Sequence, residues 1–232
     1  MKARSVGVAT LVVAMATVSP ALAFDMNLMN PYVEFGGGAN LQSFDLDNVD
    51  RNTNTGDLEV EEVSDLDIGA DLYAAIGADL VPGLRGELQG SFHANSGAEF
   101  DISAEGSASI AADTQTLMVL ANLWKDFEVS QGVAVSVGGG LGFGSTTHSV
   151  TSGGTSSDTS VTGVAYMAGV GVGFDVGSGM VLNVTYSVSG IAGDSTSSHT
   201  IDSDYGSEEF TADLTSSINQ AVTVGLRIPI GN

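Results

Sequence analysis

From Leu66 to Leu80 every second residue is apolar (Leu66, Ile68, Ala70, Leu72, Ala74, Ile76, Ala78, Leu80), and between them lie Asp67, Gly69, Asp71, Tyr73, Ala75, Gly77 and Asp79. Side chains repeat every two residues along a strand and every 3.6 along a helix, so this run specifies a strand, and one well beyond the usual length of about five or six residues. Val81-Pro82-Gly83 reads as a tight turn. After it Leu84, Gly86, Leu88, Gly90, Phe92 and Ala94 alternate with Arg85, Glu87, Gln89, Ser91, His93 and Asn95, so the two runs predict a long hairpin.

Six further segments alternate in the same way: Tyr32 to Gln42, Thr114 to Trp124, Gly132 to Gly144, Val164 to Asp175, Met180 to Ser189 and Thr215 to Ile230. The sum is eight strands, an even number. In the run from Gly132, Val133, Val135, Val137, Leu141 and Phe143 face away from Ala134, Ser136, Gly138, Gly140, Gly142 and Gly144; near the end, Val222, Val224, Leu226, Ile228 and Ile230 face away from Thr223, Gly225, Arg227 and Pro229. The second face, made of glycine with Arg, Glu, Asp, Gln and Asn, has too little apolar volume for the core of a two-sheet sandwich. Apolar-out, polar-in strands facing lipid fit instead. Closure follows, because an open sheet edge in hydrocarbon leaves backbone N–H and C=O groups without partners. The predicted fold is all-β: a closed, eight-stranded, antiparallel, up-and-down transmembrane β-barrel.

The N-terminus agrees with export. Lys2 and Arg4 precede an apolar run from Val6 to Val18 and then Ala21-Leu22-Ala23, the pattern of a signal peptide over residues 1–23 that leaves a barrel domain over 24–232. The run is shorter than the roughly 20 residues of a spanning helix. Connections alternate in length. Those near Leu80–Gly83, Lys125–Gln131 and Val176–Gly179 are short, whereas Phe44–Ser64, Ser96–Asp113, Ser145–Val161 and Ile191–Phe210 read as long polar loops outside the cell.

The sequence contains no cysteine, which excludes disulfides and thiolate chemistry. Its formal charge of -22 becomes more negative once Lys2 and Arg4 are removed, so nucleic acid is not a partner. Acids concentrate in the first expected loop (Asp45, Asp47, Asp50, Asp57, Glu59, Glu61, Glu62) and the fourth (Asp194, Asp202, Asp204, Glu208, Glu209), where their spacing matches no calcium-loop signature and solvated charge is the reading. The glycine runs at Gly138–Gly144 and Gly169–Gly173 precede no helix and carry no Gly-Lys-Ser/Thr, so they are small inward residues rather than a phosphate cradle. His93, near Ser91 and Glu87 on the polar face, is the one candidate for a hydrolytic set; His148 and His199 fall in expected loops. No nucleophile turn accompanies them, so no catalytic, cofactor-binding or metal residue is assigned. Glu34, Arg85, Glu87 and Arg227 all have the polar parity close to the periplasmic strand ends. Burial demands partners for them, so Glu34 is expected to pair with Arg227 across the closing strands, and Arg85 with Glu87 or Asp79, in a structural interior charge cluster.

Pro31-Tyr32-Val33, Gly36-Gly37-Gly38-Ala39-Asn40, Asn122-Leu123-Trp124-Lys125-Asp126-Phe127, Gly138-Gly139-Gly140-Leu141-Gly142 and Gly225-Leu226-Arg227, in that order, resemble the eight-stranded OmpA-like and opacity-type outer-membrane barrels. The resemblance implies a monomeric, non-enzymatic outer-membrane protein with a structural, antigen-like or adhesin-like role. Lipid and lipopolysaccharide are its expected partners, with surface ligands meeting the loops, and no cofactor. The alternative is a porin-like channel for small solutes.

Overall fold

The computed structural model describes residues 29–51, 68–102, 108–152, 155–203 and 206–230; the expected signal segment lies outside them. Among the described residues every element is a strand: β1 (Met29–Arg51), β2 (Gly69–Val81), β3 (Leu84–Ile102), β4 (Ala108–Ser130), β5 (Val133–Ser152), β6 (Thr155–Gly177), β7 (Met180–Ser203) and β8 (Gly206–Pro229). Each pairs antiparallel with the next, and β1 pairs with β8 from Tyr32↔Pro229 upward, so the sheet closes into a barrel. The eight-stranded closed barrel is as the alternation predicted.

The short turns, expected on the periplasmic side, are two residues each, at Pro82-Gly83, Gln131-Gly132 and Ser178-Gly179. Gly83, Gly132 and Gly179 have φ of 71°, 75° and 74°, in the left-handed region where a Cβ is penalised. The turn expected over Lys125–Gln131 is therefore too long: Asp126, Phe127 and Glu128 still pair with Ser136, Val135 and Ala134.

The larger correction concerns the opposite side, where the described parts of the expected long loops are strand. β3 and β4 stay paired to Ile102↔Ala108, β5 and β6 to Ser152↔Thr155, and β7 and β8 to Ser203↔Gly206. Beyond the lipid a strand no longer needs an apolar face, so its alternation disappears while its backbone ladder continues, helped by β-branched threonine. Residues Asp57, Glu59, Glu61, Glu62 and Asp204 lie outside the described residues, whereas Asp45, Asp47, Asp50, Asp194, Asp202, Glu208 and Glu209 sit on the outer ends of β1, β7 and β8.

Outward apolar side chains form a belt. Phe35, Leu72, Leu88, Leu123, Val137, Leu141, Val170, Val184 and Val224 are all exposed. On β5 the belt runs from Val133 to Phe143. Ten residue steps of about 3.4 Å tilted by about 40° rise roughly 25 Å, the height of an outer-membrane apolar band. β5 then continues to Ser152, roughly 20 Å farther.

Candidate functional site

The inward faces of the eight strands meet in the lumen, which has three levels. At the periplasmic level Glu34 on β1 lies directly opposite Arg227 on β8, and Arg227 Nε donates to Glu34 Oε2 at 3.1 Å. Glu34 Oε1 also accepts the Tyr73 hydroxyl at 2.7 Å. Arg85 on β3 donates through Nη1 to Glu87 and through Nε to Asp126 Oδ2 at 3.0 Å. Glu87 Oε1 accepts the Tyr32 hydroxyl at 2.6 Å, and Ser136 donates to Asp126 Oδ1 at 2.6 Å. The structure thus gathers Glu34 with Arg227 and Arg85 with Glu87 in two hydrogen-bonded clusters at one level, which meet where Arg227 lies over the Tyr32 ring. Asp79 stands apart from both, accepting from Asn30 Nδ2 at 2.8 Å at the rim.

Sequence reasoning missed Asp126, Tyr32 and Tyr73. Asp126 was hidden by its assignment to a turn; the tyrosines carry the polar parity, which was the available signal. Both guanidinium groups also stack on aromatics, Arg227 at 4.8 Å from the Tyr32 ring centre and Arg85 at 5.1 Å from that of Trp124.

The middle level corrects the expectation of a polar interior. Met118, Leu120, Trp124, Ala165, Met167 and Ile191, from β4, β6 and β7, pack as a buried apolar wall. The Trp124 indole lies over Gly138 on β5 and Gly169 on β6, where an added Cβ would come within 3.0 Å of the ring. Likewise the Tyr73 ring covers Gly36 and the Tyr32 ring covers Gly77. Inward glycines are therefore the spaces into which neighbouring aromatics fit. Between the apolar wall and the charge network lies a cavity of about 40 Å³. At about 10–15 Å³ per enclosed water, it holds about three waters.

At the outer level, flush with the top of the apolar belt, Asn40, Gln42, Asp71, His93, Asn95, Thr114 and Asn219 are buried. His93 Nδ1 lies 2.8 Å from Asp71 Oδ2 and 3.2 Å from Asn219 Nδ2. His93 Nε2 and Ser91 Oγ both lack a hydrogen-bond partner, so the two do not form a nucleophile–base pair. The role this geometry gives His93 is to tie β3 to β2 by donating from Nδ1 to Asp71, with Asn219 of β8 packed beside the ring. Just above, Thr114 Oγ1 lies 3.0 Å from His148 Nδ1, and Thr116 and Thr146 share a hydrogen bond of 2.9 Å.

The chain is similar to several solved outer-membrane proteins. OprG from Pseudomonas aeruginosa is 15% identical over 88% of this chain and 98% of that one, with a TM-score of 0.56. Neisserial surface protein A is 15% identical over 86% and 97%, with a TM-score of 0.49. The outer membrane protease OmpT from Escherichia coli is 12% identical over 90% and 99%, at 0.48. At such identities the likeness concerns the fold, and no residue role is carried across. No curated protein matches the sequence. A family model described as outer membrane protein beta-barrel domain matches residues 8–212. With its closed barrel and outward apolar belt, this chain belongs to the outer-membrane protein β-barrel domain family, and its place is the bacterial outer membrane.

Proposed function

We propose that this outer-membrane protein is a non-conducting, non-enzymatic envelope barrel whose work is done outside the lipid, by the acidic hairpin extensions that it presents at the cell surface. The observation that carries this reading is the filled lumen. Trp124, Met118 and Leu120 from one side and the Arg85–Glu87–Asp126 network from the other fill the lumen around a cavity of about 40 Å³. That volume admits a few waters and no solute of metabolite size. The barrel's role is then to anchor and space the extensions, which meet lipopolysaccharide or an external surface.

Single-channel recording of the refolded full chain in planar bilayers tests the reading. A silent trace is expected across the usual voltage range. Stable open steps would overturn it in favour of a porin-like channel for small solutes.

A further inference from the structure

The outer level of the lumen combines an excess of negative charge with oxygens that have nothing to bind. The lumen encloses the carboxylates of Glu34, Asp71, Glu87 and Asp126 against the guanidinium groups of Arg85 and Arg227, leaving two negative charges over when His93 is neutral. The periplasmic network absorbs both arginines. Asp71, 3% exposed, lies above them, and among the described residues its one side-chain partner is the His93 imidazole. Burying a carboxylate without a countercharge is costly.

In the outer layer of the lumen that holds Asp71, four buried oxygens have no hydrogen-bond partner among the described residues: Asn40 Oδ1, Gln42 Oε1, Ser91 Oγ and Asn219 Oδ1. Their residues are between 1% and 5% exposed. Asn40 Nδ2 is unpartnered too, so rotating that amide exchanges one orphan for another. Register places these groups together. Gln42 is directly opposite Asn219 across the β1–β8 seam, Asn40 is diagonal to Asp71 across β1–β2, and His93, opposite Asp71, touches Asn219. Asp71, Ser91 and His93 also form the upper wall of the cavity, so the site opens onto the water-sized space below.

A buried polar atom left without a partner loses its hydration and gains nothing in return. Water would satisfy the oxygens and leave the charge; a cation answers both. Among the described residues no three His, Cys, Asp or Glu side chains converge, so the donor set is one carboxylate with neutral oxygens. That chemistry suits hard cations and not zinc or copper. We infer that this layer binds one hard metal cation, of the sodium or calcium class, through Asp71 and the amide oxygens of Asn40, Gln42 and Asn219. The cation joins β1, β2 and β8 above the cavity and supplies the countercharge that Asp71 lacks.

The test uses the refolded full chain in detergent, freed of metal and held in choline chloride, then titrated with sodium chloride or calcium chloride at constant ionic strength. Two readouts are followed: the temperature at which the heat-modifiable gel shift is lost, and the side-chain amide NMR resonances of Asn40 and Asn219. One of the two cations is expected to raise that temperature and move those resonances saturably, with the midpoint weakened roughly tenfold or more in Asp71→Asn. Asn40→Leu keeps the carboxylate, removes one oxygen ligand and should also weaken the midpoint, which secures the test if Asp71→Asn does not fold. An ion effect unchanged in these variants would move the cation to the surface acids and overturn the assignment. So would identical behaviour in choline, sodium and calcium, which would leave the layer holding water alone.

Discussion

Glu34 and Arg227 are 193 residues apart in the sequence and 3.1 Å apart in the barrel. Each is enclosed by the lumen, so removing one strands the other, a loss of about 3–5 kcal/mol for a buried pair. Arg227→Glu should therefore lower the urea midpoint of the refolded barrel sharply, and Glu34→Arg in the same chain should recover much of the loss. Additive damage in the double variant would show that the two side chains do not support each other. A second prediction concerns His148, above the apolar belt, whose imidazole is pushed by burial below its usual value. The fold prefers the neutral ring, so its contribution is complete above the ordinary imidazole value near 6.5, diminishes as pH falls through it, and levels off below the folded value. The urea midpoint should drop between pH 7.5 and about 5, and His148→Asn, which keeps a hydrogen-bonding group beside Thr114, should flatten part of that drop. An unchanged slope in the variant would remove His148 as the cause.

At the scale of the strand, β5 offers a measurement of where lipid ends. Val137 lies mid-belt and Thr147 lies above it on the same outward face, with Thr147 Oγ1 at 3.0 Å from Ser160 Oγ. Val137→Arg should cost about 2–4 kcal/mol in folding into bilayers, and Thr147→Arg close to nothing. Equal costs would mean that the belt is misplaced. The same strand explains what was legible beforehand: Val133 to Phe143 alternates with glycine and serine, so its lipid face was plain. On β4 Leu117, Val119 and Leu123 point outward while Met118, Leu120 and Trp124 point inward, so both faces are apolar, the period-two contrast vanishes, and the apolar wall of the lumen could not be read. The interior charges were legible because parity and closure alone bring strand one against strand eight. Asn40, Gln42 and Asn219 carried no charge to draw attention, and only the pattern of orphaned oxygens in three dimensions marks them. The hairpin extensions escaped for a further reason: serine and threonine in water serve loop and strand alike.

For the whole molecule, paired strands run past the belt on the side opposite the two-residue turns, and a tag between Ser152 and Thr155 reports which side of the membrane that is. An epitope tag inserted there should be reached by antibody on intact cells; labelling that requires permeabilisation would reverse the orientation. The β1–β8 seam has a consequence of another kind. Neighbouring strands find each other through short connections, but the seam joins the two ends of the chain and has the greatest loop-closure entropy to overcome, so it is the natural last step of assembly. Backbone ladders alone do not distinguish a seam in register from one slipped by two residues, since both offer the same hydrogen bonds. Glu34 opposite Arg227 does distinguish them, because a slipped closure leaves two enclosed charges without each other. The pair works as a proofreading mark, and a chain that lacks it would wait as an unsealed sheet, its errors appearing in the time taken to seal.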